Sequence, residues 1–154
     1  MSAGFLGMLL CALCAQENDN RTVISQVEEA AKKSLLPAGK KAQAVAAAKM
    51  IDGGRLPALM SAPVLVSALF DIDDGAILRR SLLKFSREDG VCKAVRKNLQ
   101  RQDGDDKFSI SVASLNITER DIALRASQKW SNGDDLSQPE SMVLRKLGIT
   151  RKKE

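Results

Sequence analysis

The sequence predicts a mostly α protein: one domain built as a bundle of six to eight short helices, with at most one or two short β-strands near residues 107–113. Three observations carry that expectation. Apolar residues recur at the 3.6-residue period through most of the chain. Candidate helix starts (Ser, Thr, Asn or Asp) and stops (Gly, Pro) punctuate it at intervals of a helix length. Strand-like alternation appears in only one segment. The 154 residues suffice for one domain with a proper core. The expected domain is residues 1–148, with a basic mobile tail at 149–154.

Residues 2–15, SAGFLGMLLCALCA, are almost wholly apolar. They read as an N-terminal helix that packs in the domain or against a second subunit, since a membrane span needs about 20 residues. A secretory signal has a similar apolar core, but here the charged n-region is missing. A polar break follows, with Asp19 or Asn20 as the cap of a helix over 21–36. Its apolar positions are Val23, Ile24, Val27, Ala30, Ala31 and Leu35. Pro37 stops that helix and opens the next, which runs to about Ile51 through an Ala-rich stretch of high helix propensity. Gly53 and Gly54 end it. The run 56–70 is the most hydrophobic internal segment. Pro57 and Pro63 divide it into a turn and a helix from about Ala62, with Ser61 as the expected cap.

Asp71, Asp73 and Asp74 are expected at the start of a helix over 77–85, where carboxylates complement the helix dipole. Ser86 with Asp89 resembles a capping box for a helix running to Arg101. Residues 107–115 are the expected strand, because Phe108, Ile110 and Val112 alternate with Ser109, Ser111 and Ala113. Thr118 is read as the cap of a helix to Trp130. Ser137-Gln138-Pro139-Glu140 is read as a capping box for the last helix, which Gly148 ends.

Absences restrict the chemistry. The chain has no His and no Tyr, which removes the commonest general base, the commonest metal ligand and the Ser-His and Cys-His dyads. One Trp and four Phe are few for a platform that stacks single-stranded bases. Three cysteines do not make a closed disulfide framework and fit a reducing, intracellular (cytoplasmic) compartment, with secretion the minor reading. Cys11 and Cys14 form a CxxC with no second ligand pair beside it, so two structural cysteines are expected. The Asp71–Asp74 cluster fails the calcium-loop register, because Ala76 and Leu82 stand where Gly and Glu are required. Gly39-Lys40 lacks the first Gly and the following Ser or Thr of a phosphate loop. No catalytic residue, metal site, cofactor or small-molecule substrate is expected. The two helices over 118–148 have the flavour of a DNA-reading pair, with Arg145 and Lys146 exposed on the last helix and reinforced by Arg151, Lys152 and Lys153, but their linker is too long for the tight turn of that motif.

What remains is charge. The whole chain is +5, whereas residues 79–101 alone hold eight cations against Glu88 and Asp89, a balance of +6. The eight are Arg79, Arg80, Lys84, Arg87, Lys93, Arg96, Lys97 and Arg101. At helical spacing they form the cationic fronts of two amphipathic helices, and they are the candidate nucleic-acid-binding residues. Lys and Arg repeated every turn can neutralise successive phosphates with little base specificity. The two apolar runs, 5–13 and 56–70, make self-association plausible. The expected function is a non-catalytic structural or assembly protein that forms homo-oligomers and binds RNA or DNA phosphates. The alternative is a helical interaction module, such as an adapter, chaperone or membrane-surface protein, whose basic face meets an acidic protein or anionic lipid.

Overall fold

The structure, a computed structural model, describes residues 20–102 and 104–151. The expectations for the N-terminal apolar helix and for Cys11 and Cys14 lie outside the described residues. Among those residues there are nine helices and no strand: α1 (Val23–Lys33), α2 (Ala38–Asp52), α3 (Leu56–Leu59), α4 (Pro63–Asp73), α5 (Ala76–Glu88), α6 (Gly90–Asn98), α7 (Asp106–Ala113), α8 (Ile117–Asn132) and α9 (Gln138–Lys146). Helices α1, α2 and α4 pack on one another, α5 packs on α7, α6 on α8, and α8 on α9. Contact between α4 and α5 joins the two groups, and buried residues from α1 through α9 form one core cluster. Leu59, Leu69, Leu78 and Leu144 are its largest fully buried side chains. Each contributes about 1.5–3 kcal/mol relative to an exposed leucine.

The Ala-rich helix α2 is central, as its composition predicts. Ala44, Ala47 and Ala48 are fully buried, and their small side chains let α1 and α4 approach closely. Helix α1 is shorter than its apolar period suggests. It closes at Lys33, Ser34 turns extended, and Leu35, expected on the buried face, is fully exposed. Its start is also held differently. Thr22 caps Ser25 N–H, and the Asp52 carboxylate at the end of α2 accepts from Val23 N (3.0 Å) and Ile24 N (2.9 Å). A cap supplied from 28 residues away in sequence leaves no local signal.

Several helix boundaries differ for similar reasons. Ala62, without a side-chain cap, rather than Ser61 precedes α4, with Pro63 in its first turn. The acidic cluster sits at the end of α4, not at the start of α5. Asp73 nevertheless caps α5, its Oδ2 accepting from Ile77 N at 2.9 Å. Ser86 is not a cap: it lies inside α5, fully buried, donating to the Leu83 carbonyl. Asp89 alone divides α5 from α6. Its N–H goes back to Phe85 O and its carboxylate accepts from Cys92 N. Asn116, not Thr118, caps α8, in a reciprocal box with Glu119.

The expected strand is helix α7. Asp105 caps it by accepting from Phe108 N, and the hydroxyls of Ser111 and Ser114 donate to carbonyls four residues back. Phe108, Ser109, Val112 and Ala113 are buried, a spacing of one helix face. In so short a segment, alternation and helical period coincide at Phe108 and Val112, and the Ser residues supply neither pattern with an apolar contrast.

The first residue of the expected tail, 149–154, packs on the domain. Ile149 is buried, its N–H bonded to Leu144 O, and Gly148 makes the intervening turn at φ +76°. Gly75 is the more constrained glycine. Its φ is +79°, and a Cβ there would lie 2.2 Å from the Phe70 ring. Gly75→Ala should therefore cost about 1–3 kcal/mol, measurable as a lowered urea midpoint with an unchanged slope.

Candidate functional site

Seven of the eight candidate cations reach solvent. On α5, the apolar residues Ile77, Leu78 and Leu82 turn inward, leaving Arg79, Arg80, Lys84 and Arg87 exposed. On α6, Cys92 and Val95 turn inward, leaving Lys93 and Lys97 exposed, and Arg101 follows just beyond the helix. The exception is Arg96. It is 6% exposed, on the face of α6 that carries Cys92 and Val95, and belongs to the core rather than to any cationic front. Its guanidinium donates to Ser109 Oγ (3.1 Å) and to the Ser86 carbonyl (3.3 Å). The latter is one of the last carbonyls of α5, which have no partner within their own helix.

The structure distributes the exposed seven over more than one surface. Arg80 donates to Gln26 Oε1 (3.1 Å) and, with Lys84, lines a cleft of about 300 Å³ between α1 and α5 that also holds Arg21. Arg87 faces Asp106 at 3.9 Å; both side chains are exposed, so the pair contributes little. Arg101 lies over the Phe108 ring, 5.4 Å from its centroid, in a groove shared with Lys107 and Lys146. Arg21 and Lys107 are the neighbours that sequence reasoning did not name, because folding rather than chain position brings them beside the row.

Several acids are engaged with other cations. Lys40 pairs with Asp71, Lys146 with Glu119, and Arg21 and Lys33 with Glu29. Lys129 pairs with Glu140 at 2.9 Å and holds its carboxyl below the usual range. Asp89 pairs with Arg120 at 2.7 Å. By contrast, the side chains of Arg79, Lys84, Lys93 and Lys97 make no ion pair or hydrogen bond among the described residues, so their charge faces water unneutralised.

Other chemistry is sparse. Among the described residues, no group of three or more His, Cys, Asp or Glu side chains is placed to hold a metal ion, and no helix is long and apolar enough to cross a membrane. The Cys92 thiol is fully buried. Burial, reinforced by the nearby Asp89 carboxylate, pushes its pKa to about 11, which keeps it protonated and unreactive at neutral pH. The chain matches no family model, and no curated protein or solved structure matches it.

Proposed function

We propose that the chain is a non-catalytic assembly protein that binds nucleic-acid phosphates through the exposed cations of α5 and α6 and self-associates through apolar helix surface. The supporting observation is the set Arg79, Lys84, Lys93 and Lys97: four exposed cations on two successive helices with no acid partner. Exposed cations without neutralisation attract polyanions, and phosphate contact releases condensed counterions. For self-association, α4 leaves Val64 (60%) and Phe70 (47%) exposed, and Ile117 (54%) and Met142 (57%) are exposed at the start of α8 and on α9.

Fluorescence anisotropy with a labelled random-sequence duplex tests the first half. Four phosphate contacts give a slope of roughly −3.6 in log K against log[salt]. The variant Arg79→Glu/Lys84→Glu/Lys93→Glu/Lys97→Glu changes side chains with no structural partner, so it should melt like the wild type. It should lose binding at low salt by about 100-fold or more. Retained affinity in that variant overturns the proposal. Light scattering tests the second half: a mass of 16.7 kDa at all concentrations removes self-association.

A further inference from the structure

Trp130, the chain's single tryptophan, is half-buried near the end of α8. It faces a cleft of about 260 Å³ between α8, α9 and the residues after α9. Leu144 and Ile149, both buried, form the apolar floor, and Arg145 and Arg151, both exposed, stand at the rim. Among the described residues the lining contains no carboxylate. Glu140, the nearest acid on α9, is tied to Lys129 and does not line the cleft.

The two arginines are held without neutralisation. Arg151 lies over the indole, 4.9 Å from the ring centroid, and donates to the Asp134 carbonyl at 2.7 Å, with no acid partner among the described residues. Arg145 makes no ion pair or hydrogen bond among the described residues. An aromatic face, two guanidinium groups, an apolar floor and no negative charge suit a flat ring carrying an anion. The volume is slightly under that of sites for drug-sized ligands, about 300–1,000 Å³, and fits one ring system.

We propose that this cleft takes one unpaired base of a single-stranded nucleic acid, stacked on the Trp130–Arg151 layer, with the adjoining phosphate on Arg145. Indole and guanidinium planes both stack bases, and either tolerates any base because every base has a π-face. A base within a duplex is already stacked on both sides and cannot enter. The cleft therefore adds single-strand preference to a surface that otherwise reads only phosphates. It serves one base, consistent with a chain too poor in aromatics to build a longer platform. The inference rests on the phosphate-binding reading given above.

Because the chain has one Trp and no Tyr, its fluorescence reports this cleft alone. The wild-type protein is titrated with unlabelled oligothymidylate, with a duplex of equal length and with thymidine monophosphate, following Trp emission. Anisotropy of labelled strands is followed in parallel. The single strand should quench emission over the concentration range in which it binds, and the duplex should bind with unchanged emission. Arg145→Ala, which breaks no side-chain hydrogen bond or ion pair among the described residues, should weaken single-strand binding about tenfold and leave duplex binding within twofold. If both nucleic acids bind and neither alters emission, the cleft proposal fails while the phosphate surface stands. Absence of binding by either overturns both. If the mononucleotide saturates the emission change at the same concentration as the oligomer, the cleft is a free-nucleotide site and the strand assignment is wrong.

Discussion

Asp89→Ala is expected to lower the stability of the domain by about 3–5 kcal/mol, the sum of a lost helix cap and of a part-buried ion pair whose nearly buried guanidinium is left without its carboxylate. Asp89 performs three tasks at the break between α5 and α6. Its backbone ends one helix, its carboxylate caps Cys92 N at 3.0 Å, and the same oxygen accepts from Arg120 at 2.7 Å. Arg120 is 8% exposed; its remaining neighbours are the Phe85 ring, 4.9 Å from its guanidinium carbon, and the Cys92 sulfur at 3.9 Å. Neither can neutralise a buried guanidinium once the carboxylate is gone. The loss should appear as a fall of roughly 6–20 °C in Tm. Adding Arg120→Met to Asp89→Ala should recover part of it, because the orphaned charge leaves as well. A double variant no more stable than the single one would show that the cap, not the ion pair, dominates.

The same carboxylate sets a pH dependence. Burial raises its pKa, but the Cys92 amide and the Arg120 guanidinium outweigh burial, and the net displacement is downward. A depressed folded-state pKa contributes stability that is fully present above the unfolded value of about 3.9 and is lost as pH falls through the folded value. Urea midpoints of the wild type should therefore drop as pH falls below about 4. In Asp89→Asn this part of the acid decline should be absent, and a parallel decline in both proteins would assign it to other carboxylates.

The fold class was readable because α1, α5, α6, α8 and α9 each carry an apolar stripe at helical period, and because Ala-rich α2 has no competing conformation. Failures cluster where the deciding partner is distant or the segment is short. Asp52 caps α1 from the far end of α2, whereas local spacing points to Asp19 or Asn20. Ser86 satisfies the spacing rule for a capping box but lies in the interior of α5, where its hydroxyl bonds the preceding turn. The α7 segment is eight residues long, and its alternation fits a strand as well as its buried set fits a helix. For the candidate site, spacing identified which faces of α5 and α6 are cationic. Charge alone groups Arg96 with those cations, whereas its spacing places it on the Cys92–Val95–Leu99 face, where a guanidinium stem packs as a hydrocarbon would.

That arginine supplies the second large effect. Arg96→Glu should destabilise the protein by about 4 kcal/mol or more, enough to unfold a domain of ordinary stability. The wild-type side chain donates to the Ser86 carbonyl and to Ser109 Oγ, while its Nε is buried without a partner. A carboxylate in its place would face the Ser86 carbonyl oxygen, acceptor against acceptor, in a site with no cation to pair it. Arg96→Met keeps the hydrocarbon stem and introduces no charge, so it should cost only about 1–3 kcal/mol for the unsatisfied carbonyl and the lost hydrogen bonds. The two variants separate folding from binding. If Arg96 acts only in the core, Arg96→Met binds duplex nucleic acid as the wild type does once it is shown to be folded by circular dichroism. A folded Arg96→Met with binding reduced as far as by reversal of the exposed cations would return Arg96 to the interface. A charge-reversal set that includes Arg96 loses binding by unfolding, and for that reason the exposed partnerless cations, not the whole linear row, are the ones whose removal reports on an anionic partner.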